Sequence, residues 1–167
     1  MILFGKAALA WNTKPAGLNA SDQQSKRCIM FTCSAIFALA CQIAVWLTNA
    51  NTTLLPPYWR FEPHHIKAIV DTAYEESGFR PCIKSRDGSV GLWQWRGSRR
   101  EDLHEKANTP PATCVPAESQ VRFMIDELLT RREAPAFFAA RDYRTARSIF
   151  VRGFEVRPMD LIRRAGL

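Results

Sequence analysis

Glu76-Ser77-Gly78-Phe79-Arg80-Pro81, followed shortly by Gly91-Leu92-Trp93-Gln94-Trp95-Arg96-Gly97-Ser98-Arg99-Arg100, is the stretch on which the reading of this 167-residue chain turns. Immediately upstream, Ile66, Ile69, Val70 and Ala73 recur at helical spacing. Pro63 suits the first turn of that helix and Gly78 the position just past its end. Glu76 therefore falls in the last turn, at the helix's negative pole, where a protonated carboxyl is favoured over a charged one. An acid still protonated near neutral pH can deliver a proton to a poor leaving oxygen, which is what breaking a glycosidic bond requires. An adjacent acidic pair such as Glu75-Glu76 is, taken alone, more often a solvated charge cluster.

The following residues add ligand chemistry. The Gln94 amide carries donor and acceptor together, suited to sugar hydroxyls and N-acetyl groups. If the segment is extended, Trp93 and Trp95 lie on opposite faces, so that one indole stacks beneath a sugar and the other enters the core; the alternative is that both are core. Ser77 caps or braces the turn. Asp87-Gly88, between Ser85-Arg86 and Ser89-Val90, is a hairpin signal. Asp87 either makes that turn or serves as a second carboxylate, and Glu155 competes with it for the second role.

This order of parts resembles the phage tail lysozyme family, a branch of the lysozyme and lytic transglycosylase superfamily. Two later segments fit the same pattern. Gln120-Val121-Arg122-Phe123-Met124-Ile125-Asp126-Glu127-Leu128 looks like its next helix, and Phe150-Val151-Arg152-Gly153-Phe154-Glu155, then Arg157-Pro158, looks like its closing motif with Val156 interposed. The resemblance covers about residues 60 to 160. It implies a lysozyme-like α+β fold, mainly α with a small β-hairpin, Glu76 as general acid, and Ser77, Gln94, Trp93 and Trp95 along a glycan cleft. The implied activity is a peptidoglycan muramidase that cleaves the β-1,4 bond between N-acetylmuramic acid and N-acetylglucosamine. Two alternatives stay open: a lytic transglycosylase forming 1,6-anhydromuramic ends with the same acid, and a silent wall-binding or assembly protein that keeps the fold.

Cys28 to Ala50 holds no charged residue and is long enough for a bilayer, which needs about 20 apolar residues. Lys26 and Arg27 precede it and no basic residue follows until Arg60. The positive-inside rule then puts the amino terminus in the cytoplasm and the remainder outside, where peptidoglycan lies. The expected organisation is a cytoplasmic segment at 1–27, a transmembrane anchor or signal segment at 28–50, with a buried structural helix ranked third for that stretch, a linker at 51–59 and the lysozyme-like domain at 60–167. The protein would sit in the inner membrane facing outward, or be secreted to the periplasm if the segment is cleaved. Cys82 and Cys114 fall in the exported part, where an oxidising compartment permits pairing, and a bridge closing that loop is worth about 3 to 4 kcal/mol.

Thr109-Pro110-Pro111 breaks the chain before a helix that Pro116, Glu118 and Ser119 open, and another helix is expected from Tyr143 to Phe154. The net charge of +7 favours encounter with an anionic polymer. Bacterial walls fit; nucleic acid ranks below them, since no nucleic-acid motif appears and export removes the chain from it. The histidines and cysteines have no metal-ligand spacing, so no metal or cofactor is expected.

Overall fold

The structure, a computed structural model, describes residues 35–56 and 58–155. The chain divides into two units, Met1–Phe31 and Thr32–Leu167, and the first lies outside the described residues. Within the second the helices are α1 (Ala35–Thr53), α2 (Pro63–Ser77), α3 (Ser98–Lys106), α4 (Ala117–Thr130), α5 (Ala134–Ala139) and α6 (Tyr143–Phe150), with a π-helical turn at Val151–Glu155.

Helix α2 has the predicted boundaries. Pro63 opens it behind Glu62, whose backbone N–H donates to Nδ1 of His65 at 3.1 Å, and Gly78 closes it at φ +59°, donating its N–H to Tyr74 O at 2.7 Å. Its buried residues are His65, Ala68, Ile69, Thr72, Ala73 and Ser77. Helix α4 packs Val121, Phe123, Met124, Ile125 and Leu128 inward. The last predicted helix, Tyr143 to Phe154, is α up to Phe150 and π beyond it. Helices α3 and α5 are additions to the sequence reading. Helix α3 is short and charged, and α5 has six residues, so neither carries a long apolar period.

Helix α1 spans residues 35–53 and so runs into the stretch read as a linker. It packs on α2 and α4, burying Ile43, Leu47 and Ala50 at i, i+4 and i+7, and Asn51 exchanges hydrogen bonds with the Phe61 backbone at 2.7 and 3.2 Å. Among the described residues no helix is long and apolar enough to cross a membrane. Residues 28–34 of the expected span lie outside the described residues; its later half contributes to the core of the domain.

The hairpin is reduced to isolated bridges. Lys84 pairs with Val90 around the Asp87-Gly88 turn, and Val90 with Trp95 around the Gly91–Gln94 turn. The turn chemistry is that of the sequence, but flanking segments this short close without a ladder. An aromatic cluster joins the two ends of the domain: Phe61 and His65 meet Phe137, Phe137 meets Phe150, and Phe150 stacks on Phe154 with centroids 4.7 Å apart. The Cys82–Cys114 disulfide is formed, with Cα atoms 4.9 Å apart, and ties the segment after α2 to the entrance of α4.

Candidate active site

Glu76 lies seven positions after Ile69, two helical turns, so it continues the buried stripe of α2. Yet Glu76 is exposed, because the core ends there and the stripe emerges at the surface. The protein around the carboxyl partly desolvates it and raises its pKa above the usual carboxylate range, and the charge of Glu75 adds to the effect. Both causes favour the protonated acid. Glu75 is itself paired with Arg147 of α6. One turn earlier, Asp71 accepts from Lys67 Nζ and from Tyr143 Oη, each at 2.6 Å. Burial works against the Asp71 charge, but these hydrogen bonds outweigh it and hold the carboxyl below its usual range. Helix α2 is thus clamped to α6 beside Glu76.

Ser77 is 2% exposed and its Oγ donates to Ala73 O at 2.7 Å, while its carbonyl accepts both the Arg80 backbone N–H and Nε. It braces the exit turn, and the expected contact with substrate gives way to that role. Gln94 sits at φ +48° in the turn after Gly91. Ser85 Oγ donates to its Oε1, and its Nε2 donates to Gly91 O at 2.9 Å. By capacity the amide keeps one N–H and one lone pair for a ligand.

The tight turn at Gly91–Gln94 also settles the tryptophans. Because the segment is not extended, Trp93 and Trp95 do not alternate; both are fully buried and meet edge to face with centroids 5.5 Å apart. Trp93 Nε1 donates to Ile69 O at 3.4 Å, anchoring the Gln94 turn on α2 two turns below Glu76. Trp95 Nε1 donates to Glu127 Oε2 at 3.1 Å. Neither ring offers a face to a sugar, so the stacking expectation is replaced by two core indoles.

Asp87 is exposed and takes up turn chemistry. Its Oδ1 accepts the Ser89 N–H at 3.0 Å, and Oδ2 lies 3.7 Å from Arg96. The Ser89 hydrogen bond, with Arg96 assisting, keeps this carboxyl below its usual range and therefore ionised. The side chain of Glu155, the competing second carboxylate, lies outside the described residues, as does Val156.

Two polar residues outside the sequence expectations, Gln120 buried and Glu127 partly buried, hold the site together. Gln120, 1% exposed, accepts the Leu92 N–H at 2.7 Å and donates to Pro81 O at 2.8 Å and Val115 O at 2.7 Å. Glu127 receives Arg99 through two hydrogen bonds of 2.5 and 2.8 Å, and Arg131 at 2.6 Å. Burial opposes its charge, but Arg99 first, then Arg131 and Trp95, hold it ionised. A signal for both was present: Gln120 and Glu127 fall in phase with Phe123 and Met124 on the apolar stripe of α4.

Among the described residues no cluster of His, Cys, Asp or Glu could hold a metal ion. No curated protein and no solved structure matches the chain significantly. The sequence model of one family, phage tail lysozyme, matches residues 59–160, which supports a lysozyme-like, glycosidase-type action on peptidoglycan. That match takes in α2 with Glu76, the Gln94 turn, and helices α3 to α6, more than half of the whole sequence, and by it the chain belongs to the phage tail lysozyme family.

Proposed function

We propose that the protein cleaves the β-1,4 bond between N-acetylmuramic acid and N-acetylglucosamine, with Glu76 as the general acid. The observation that carries this is a carboxyl raised above its usual range where the buried stripe of α2 reaches the surface, on a helix clamped by Asp71–Tyr143 and Glu75–Arg147. The protonated acid gives its proton to the glycosidic oxygen as the bond breaks and positive charge develops on the ring. The spare N–H and lone pair of Gln94 orient a sugar amide or hydroxyl. Placement outside the cytoplasm belongs to the same proposal, since the substrate lies there and the Cys82–Cys114 disulfide suits an oxidising compartment.

One observation favours a second route for the positive charge. Both Asp87 oxygens are engaged, by Ser89 and Arg96, at a turn in open solvent. A lytic transglycosylase needs no separate nucleophile, because the substrate's own groups close the 1,6-anhydro ring. The test is digestion of purified peptidoglycan by the full chain and by Glu76→Gln, with products read by mass spectrometry. Loss of the general acid should lower the rate about 10²- to 10⁴-fold. Reducing muropeptides would identify a muramidase and 1,6-anhydro ends a transglycosylase. Binding of peptidoglycan without release of either, by folded native protein, would leave only a wall-binding role.

A further inference from the structure

Between the disulfide and α3 lies a cavity of about 240 Å³ that the proposed chemistry does not use. It is lined by Lys84, Arg100 and His104, and none of its lining residues is acidic. His104 is 5% exposed, and its Nδ1 is buried with no hydrogen-bond partner among the described residues. A buried ring nitrogen in that state is costly unless something else completes it. Gln120, which also lines the cavity, has both of its N–H groups committed to Pro81 and Val115. The charged capacity left is therefore the Lys84 ammonium and the Arg100 guanidinium, which gives one N–H to Gly88 O at 3.3 Å and keeps its others. Ile83, Leu103 and Val115 supply apolar wall, and Cys82–Cys114 forms one side.

The volume lies below the range of about 300–1,000 Å³ usual for ligand pockets, so it suits the end of a short chain better than a saccharide. Two cations without an acid select an anionic oxygen group, and the apolar wall suits a methyl-bearing amino-acid residue beside it. A glycerol phosphate, polar throughout, would leave that wall unused. We propose that this cavity binds a free carboxylate of the peptides that branch from the glycan strand, with Lys84 and Arg100 holding the charge. The proposal rests on the peptidoglycan reading and adds a peptide subsite to it.

The test is a calorimetric titration of the full chain with muramyl dipeptide, whose peptide ends in a free carboxylate, against the same compound esterified at that carboxylate. Losing one charge-assisted hydrogen bond should weaken binding about tenfold or more. Lys84→Gln, Arg100→Gln and esterification should each have that effect, whereas Arg100→Lys should retain most of the affinity. The titration is repeated with Glu76→Gln, which should bind as the native chain does. Binding is read without turnover, so a failure of the cleavage proposal and a failure of this one are separate results. Equal binding of acid and ester, tighter binding of glycerol phosphate, or no saturable binding of the dipeptide would each overturn the assignment.

Discussion

Replacing Gly91 by alanine tests whether the Gln94 turn is held on α4 by Gln120. Gly91 has φ +77°, a region that costs an L-residue about 1–2 kcal/mol. A Cβ there would lie 2.5 Å from Gln120 Oε1 and 3.0 Å from its Cδ, and 3.3 Å from the Trp95 ring. The amide must move, and its movement breaks the bond to the Leu92 N–H and strains those to Pro81 and Val115. A buried group left unpaired costs about 1–3 kcal/mol. The two effects together predict a loss of about 2–5 kcal/mol for Gly91→Ala, measured by urea unfolding with the disulfide intact and read as a shift in midpoint at constant slope. In a Gln120→Ala background the clash with the amide is gone, so Gly91→Ala should cost only the backbone part and the tight contact with the Trp95 ring. The coupling between the two sites is then about 1–3 kcal/mol. If the two losses add to within about 0.5 kcal/mol, Gln120 does not hold the turn.

A chain beginning at Asn51 lacks Ile43 and Leu47, each worth about 1.5–3 kcal/mol when fully buried, and should melt well below one beginning at Ala35; equal melting temperatures would remove α1 from the core. Reducing Cys82–Cys114, which closes a separation of 32 residues, should cost about 3–4 kcal/mol on the chain-entropy account, seen as a lower midpoint in dithiothreitol. For His65, burial first and then the neighbouring His64 lower the folded-state pKa from 6.5. The stability this gives is complete above 6.5 and is lost as the pH falls from there through the lowered folded value, since the unfolded chain takes up the proton first. Denaturant midpoints between pH 7.5 and 5 should fall less in His65→Gln than in the native chain, and parallel curves would contradict the account.

Helix α2 and its exit were legible because Pro63, the apolar stripe and Gly78 are local signals that agree with one another. The same signals set Glu76 in the last turn of that helix. Trp93 and Trp95 were not, because alternation presumes an extended strand and the backbone turns between Gly91 and Gln94 instead. The apolar run at 28–50 carried a different ambiguity. An apolar face that packs on α2 and α4 and one that faces lipid have the same composition, and only the register of Ile43, Leu47 and Ala50 against the domain separates them. Gln120 and Glu127 were hidden by residue type. Polar side chains are read as surface unless their phase on the helix is weighed against their chemistry.

The clamp on α2 joins residues far apart in the chain: Asp71 to Tyr143 and Glu75 to Arg147 are each 72 positions distant. During synthesis, therefore, Glu76 leaves the ribosome long before the partners that steady its helix exist. Contacts of such long range are slow to form and arrive late. The nascent protein carries Glu76 on an unbraced helix until Tyr143 and Arg147 have been made, so the order of translation itself delays assembly of the proposed site until most of the domain is complete.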